Sequence, residues 1–177
     1  MAREAGLAGA VVHTDGACIR NPGKGGWAWA ASHELYASGF DPATTNQRME
    51  LTATIEAMTA LQALTTPLVV VSDSTYVVNC WRQHWWVSWQ RRGWRNSKGE
   101  LVANQDLWRA WIELITGPWR QRISFEWVKG HAGNEMNEFV DRLANGAARG
   151  QVAQAGPAPL PDAIATAADW AEGRLFP

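Results

Sequence analysis

Pro67 is followed by Leu68-Val69-Val70-Val71, an unbroken aliphatic run that stops at Ser72-Asp73-Ser74. A strand with one wet face alternates apolar and polar residues, whereas a strand covered on both faces reads as a continuous apolar run. From Thr75 the pattern turns helical, so the order is strand, acid, helix. That order sets a side chain at the carboxyl edge of a parallel strand, although Asp and Ser are also favoured helix caps. A buried parallel strand requires helices on the sheet, which confines the chain to the α/β class.

An earlier stretch has the same punctuation. Val11 and Val12 open an apolar run that meets Asp15 and Gly16; Asn21-Pro22-Gly23 then makes a turn, and Trp27 and Trp29 resume a period of two. This reads as a hairpin with a carboxylate in its first arm. His33 to Phe40 is expected to be a third strand, closed by Asp41-Pro42. Thr44, Thr45 and Asn46 are N-cap candidates for a helix from about Gln47 to Leu64. On that helix Glu50, Ala53, Ala57, Leu61 and Leu64 share one stripe, so Glu50 heads an inward face.

Trp81, Trp85 and Trp89 have the i, i+4, i+8 spacing of one helix face, and Arg91, Arg92, Trp94, Arg95 and Lys98 follow. Core packing accounts for part of this segment. Arginine beside exposed tryptophan also grips a phosphate backbone and packs on sugars. With a net charge of -1, any nucleic-acid affinity must come from such a local patch. Leu107, Trp111, Leu114 and Ile115 mark a further helix that Gly117-Pro118 stops, and Ile123, Phe125 and Trp127 alternate as a strand. His131 lies between Gly130 and Gly133 in a loop. The last helix spans about Met136 to Arg149, with Asp141 set among apolar positions.

The 177 residues suit one domain, assigned here to residues 1 to 150. Residues 151 to 177, rich in Ala and Pro, are expected to be a flexible tail with a short docking helix at Asp169 to Phe176. Cys18 and Cys80 match no metal spacing, and no apolar run approaches a membrane span, so a cytoplasmic monomer is the expectation. If Asp15, Glu50, Asp73 and Asp141 converge, divalent cations must offset their repulsion. All-oxygen donors suit Mg²⁺ or Mn²⁺, and two such ions would support phosphodiester hydrolysis.

Thr14-Asp15-Gly16, Asn21-Pro22-Gly23, Thr45-Asn46-Gln47-Arg48-Met49-Glu50, Ser72-Asp73-Ser74, Trp127-Val128-Lys129-Gly130-His131 and Asn137-Glu138 ahead of Asp141 stand in a familiar order. From about residue 9 to 149 the chain resembles the bacterial type 1 ribonucleases H. The resemblance implies a ribonuclease H-like fold, a five-stranded mixed sheet flanked by helices. It also implies an endoribonuclease that cuts the RNA strand of RNA–DNA hybrids without strong sequence specificity, leaving 5′-phosphate and 3′-hydroxyl ends. Asp15, Glu50, Asp73 and Asp141 would hold two Mg²⁺ ions, with Mn²⁺ as a substitute, and His131 would shuttle protons or assist product release. Asn21, Asn46 and Gln47 resemble the family's minor-groove contacts, and Thr45 and Arg48 its pocket for a DNA phosphate. The segment from Trp81 to Lys98, with Trp81, Trp85, Arg91, Arg92, Trp94 and Arg95 as contacts, resembles its basic protrusion, which binds the DNA strand. Here the protrusion has few lysines and ends at Glu100, so a weaker, more salt-sensitive grip is expected.

Overall fold

A computed structural model describes residues 9–160. The strands are β1 (Ala10–Cys18), β2 (Gly23–Ala30), β3 (Tyr36–Thr44), β4 (Leu68–Ser72), β5 (Ile123–Trp127) and β6 (Gln154–Ala155). The helices are α1 (Asn46–Ala60), α2 (Thr75–Gln83), α3 (Trp85–Arg91), α4 (Gln105–Thr116) and α5 (Glu135–Gly150). They form one mixed sheet in the order β5-β4-β1-β2-β3-β6. β1, β4 and β5 run parallel, and β2, β3 and β6 are added antiparallel. The aliphatic run after Pro67 is the central parallel strand, with Leu68, Val70 and Val71 buried.

Each face of the sheet is covered differently. One side carries the main core, where Val12, Leu51, Met58, Leu61, Val70 and the rings of Trp108 and Trp111 pack together. On the other side α5 lies close to the sheet, because both surfaces are small: Ala17, Ala28 and Ala30 meet Val140, Ala144 and Ala148. Alternation along β1 therefore puts Asp15, like its cross-strand partner Ala28, on the α5 side.

Four local expectations are revised. The sheet has a sixth strand rather than five, because residues just beyond α5 pair with β3 through Ala37↔Ala155 and Ser38↔Gln154. Gly156 and Ala158 then donate to the carbonyls of Tyr36 and Glu34, so part of the expected flexible tail satisfies the edge of the sheet. β3 starts at Tyr36 and continues through Asp41-Pro42 to Thr44, with a register shift opposite Gly23 and Gly25 absorbing the irregularity. α1 ends at Ala60, although Leu64 is still buried in the core. The tryptophan segment is two helices, since His84 adopts φ 51° and ψ 43° and caps α2 before α3 begins. The proposed helix at Asp169 to Phe176 lies outside the described residues.

Candidate active site

β1 and β4 pair in parallel as far as Thr14↔Ser72. Asp15, within β1, and Asp73, just past the end of β4, come next, so the register alone sets them side by side. Glu50 comes from the first turns of α1, whose N-cap Thr45 accepts from the Arg48 backbone N–H at 3.3 Å. Gly16 permits this approach, because a side chain there would collide with the Glu50 backbone. One carboxylate oxygen each from Asp15, Glu50 and Asp73 lies within 4.8 Å of the others.

Asp141, on α5, comes close enough to Asp15 to raise its pKa both by its charge and by direct contact. The Asn145 side-chain amide donates to Asp141 Oδ1 at 3.0 Å and holds it. Asp15 is 5% and Glu50 6% exposed. Burial first, then the charge of Asp73, pushes the Asp15 pKa up to about 8, against a hydrogen bond from the Gly16 N–H at 2.8 Å. Burial, followed by Asp15 and Asp73, drives Glu50 well above the ordinary carboxylate range, while the Asn46 side chain opposes the shift. Glu50 Oε2 is buried and has no hydrogen-bond partner. Clustered hard oxygen donors that cannot all ionise without a counter-charge fit divalent Mg²⁺ or Mn²⁺ and not a thiolate-seeking metal.

Outside the protrusion, the other predicted residues fall into three places. His131 is exposed at φ 52° and lines, with Asp141 and Asn145, a cleft of about 600 Å³. The loop carrying it runs against the acids, since a side chain at Gly130 would meet Asp73 Oδ2. Asn21 Oδ1 accepts the Asn46 backbone N–H at 3.1 Å and ties the hairpin turn to the start of α1, with Gln47 exposed beside it. Thr45 and Arg48 share a cleft of about 370 Å³ with Pro22 and Thr44. Arg48 is already engaged there, donating to Asp106 at 2.9 and 2.7 Å.

The protrusion separates into core and rim. Arg91, Arg92, Arg95 and Lys98 are exposed, and Trp85 and Trp89 are half-buried with ring centroids 6.1 Å apart. Two residues expected at the rim pack toward the core. Trp94 is 9% exposed, with the Arg109 guanidinium 4.1 Å over its ring. Trp81 turns inward against Trp86, Trp111 and Phe125, because the break at His84 separates it from the face shared by Trp85 and Trp89. Trp94 is thus enclosed by Arg109 and Trp89 and offers little to a sugar, whereas Trp81 stays half-buried with its ring contacts on the core side.

Asn137 and Asn145 were not read individually from the sequence as site residues. Asn137 is 2% exposed and its amide donates to Asp73 Oδ2 at 3.4 Å. Its spacing with Asp141 and Asn145, i, i+4, i+8 on α5, is a visible signal that all three share a face.

A family model for RNase H matches residues 8–149. The chain belongs to the RNase H family. A ribonuclease H of Syntrophomonas wolfei is 46% identical over 140 residues, covering 77% of this chain and 94% of the relative. The ribonuclease H of Granulibacter bethesdensis is 51% identical over 138 residues, covering 75% and 87%. Among solved structures, LC9-RNase H1, a type 1 RNase H with the type 2 active-site motif, superposes with a TM-score of 0.68 at 30% identity, covering 82% of this chain and 74% of that one. The RNase H fold thus accounts for the mixed sheet, and the sixth strand lies beyond the matched residues. No helix among the described residues is long and apolar enough to cross a membrane.

Proposed function

We propose that this RNase H family member is an endoribonuclease that hydrolyses the RNA strand of RNA–DNA hybrids, leaving 5′-phosphate and 3′-hydroxyl ends. The observation that carries the reading is the convergence of Asp15, Glu50 and Asp73, with Asp141 against Asp15, in a buried cluster that cannot be fully ionised alone. These four side chains would hold two Mg²⁺ ions, with Mn²⁺ as a substitute. Bound there, such ions supply the positive charge that activates water and stabilises a leaving oxygen.

The chain's own groups do the rest. Asn145 orients Asp141, and Asn137 orients Asp73. His131, exposed at the cleft mouth, takes up or delivers a proton and eases product departure. Asn21, Asn46 and Gln47 meet the minor groove, where 2′-hydroxyls distinguish RNA from DNA. Thr45 and Arg48 receive a DNA phosphate, and Trp85 with Arg91, Arg92 and Arg95 holds the DNA strand. The catalytic unit is residues 1–150, acting as a monomer in the cytoplasm.

The test is a labelled hybrid beside matched double-stranded RNA and DNA, incubated with Mg²⁺ or with EDTA. Metal-dependent cutting of only the hybrid's RNA strand is expected. Tight hybrid binding without cutting would instead make the chain a recognition module.

A further inference from the structure

The cleft that His131 and Asp141 line does not end at the acids. Its remaining wall is the outer face of α5: Arg142, Asn145, Gly146 and Arg149. These positions are i, i+3, i+4 and i+7, so they form one stripe along the helix. Asn145 is committed to Asp141, while both arginines are exposed. The ion pairs among the described residues are His33–Glu135 and Arg48–Asp106, so neither arginine is neutralised by a carboxylate. Arg142 rests near the edge of its own helix, its guanidinium 5.9 Å from the Phe139 ring, which gives the side chain a platform without consuming its donors.

We infer that Arg142 and Arg149 form a phosphate-binding subsite for the RNA strand next to the scissile position, separate from the protrusion. The inference rests on the hybrid-cleavage reading above. Two features of the structure favour RNA over DNA phosphates. The arginines border the same cleft as His131 and Asp141, where the strand being cut must lie. The groups assigned to the DNA strand, Thr45, Arg48 and the protrusion, belong to α1, α3 and the loop after it and line other surfaces. Arg149 lies seven positions after Arg142, about 10 Å along the axis. One strand of a duplex presents about three phosphates in that length, so both side chains can be engaged at once. Guanidinium groups suit this task because each offers paired donors to phosphate oxygens.

The experiment measures hybrid affinity by fluorescence anisotropy across a salt series in Mg²⁺, in the non-cleaving Asp15→Asn background, with and without Arg142→Ala/Arg149→Ala. Losing two phosphate contacts should reduce the steepness of log K against log salt by about 1.8. In the cleaving background KM should rise with a smaller change in kcat. Two hybrids carrying neutral methylphosphonate linkages, in the RNA strand beside the scissile position or in the DNA strand, assign the strand. Neutralising the RNA linkages should weaken the parent chain but leave the double variant unaffected, whereas neutralising the DNA linkages should weaken both alike.

An unchanged salt slope overturns the subsite, as does a double variant that is blind to the DNA linkages instead. Arg142→Lys/Arg149→Lys should recover most of the slope, and failure to do so assigns the loss to altered packing. If the parent chain neither binds nor cuts the hybrid, the proposed function falls and the subsite with it. A hybrid-cutting enzyme with an unmoved slope loses the subsite alone.

Discussion

The acid cleft and the tryptophan-rich protrusion use buried polar and aromatic groups in opposite ways. In the cleft, groups are buried with too few partners: Glu50 Oε2 and Asn137 Oδ1 have none, and burial raises the pKa of both the Asp15 and the Glu50 carboxyl. In the protrusion and the helices beneath it, rings partner one another. Trp108 donates from Nε1 to the Tyr76 hydroxyl at 2.8 Å, and its ring meets Trp89 and Trp111 at 5.3 and 5.4 Å. Trp111 Nε1 is the exception, buried and unpartnered. Function in the cleft is thus obtained at the expense of the metal-free fold. In the proposed function the protrusion acts through exposed charges placed around a finished core.

The sharpest way to break that contrast is Asp15→Asn. It should reduce hybrid cleavage to background while binding persists, and retained turnover would remove Asp15 from the chemistry. The same change should stabilise the protein in EDTA. A carboxyl whose folded pKa is raised keeps a proton that the unfolded chain has released, so metal-free stability falls as pH rises from about 4 towards 8. Asp15→Asn should flatten that fall by an amount on the order of a few kcal/mol near pH 8, and saturating Mg²⁺ should do the same for the parent chain. Melting curves at pH 5 and pH 8 decide it.

In the aromatic region the large effect has the opposite sign. Trp108 is fully buried, so Trp108→Ala should cost about 3–5 kcal/mol of stability. Any loss of activity should then follow the loss of folded protein. Denaturant unfolding beside activity per folded molecule separates the two, and a specific activity that collapses while the fold stays intact would contradict a scaffold role.

How much was legible follows the same division. Asp15, Glu50 and Asp73 stood out because each interrupts an apolar pattern, within a strand, at the head of a helix stripe or just after a strand. Parallel register then made the first and last of them neighbours. Trp81 does not share a face with Trp85 and Trp89 because side-chain spacing predicts a shared face only while the helix continues, and a left-handed residue at His84 resets it. Trp94 lies beyond α3, where no periodicity announces its burial. β6 was invisible for another reason. A two-residue strand has no periodicity, and its stability comes from the open edge of β3, far away in sequence.

His131→Ala should be milder than Asp15→Asn, slowing turnover by about 10²-fold or less, because a proton carrier assists a centre that remains intact. An unchanged rate across pH would remove its role. Arg91→Ala/Arg92→Ala/Arg95→Ala should lower hybrid affinity and reduce the salt slope by up to about 3, with no change in melting temperature, since all three are exposed. A fall in melting temperature with an unaltered slope would move these arginines into the scaffold with Trp94.

The smallest effect tests a place where a predicted phosphate ligand is already paired with a carboxylate. Arg48 faces the cleft formed with Thr45 but spends two N–H groups on Asp106, whose side chain is 62% exposed. An ion pair this open contributes only about 0.2–1 kcal/mol. A DNA phosphate therefore has little to overcome when it displaces Asp106, and Arg48 can serve both partners in turn. Asp106→Ala should consequently tighten hybrid binding by roughly 1.4- to 5-fold at low salt, the same free energy expressed as affinity. The gain should vanish in the Arg48→Ala background, because both changes act on one contact. If Asp106→Ala weakens binding instead, Asp106 holds the guanidinium in its receiving position, and this rim, like the acid cleft, is preorganised by a neighbour rather than restrained by it.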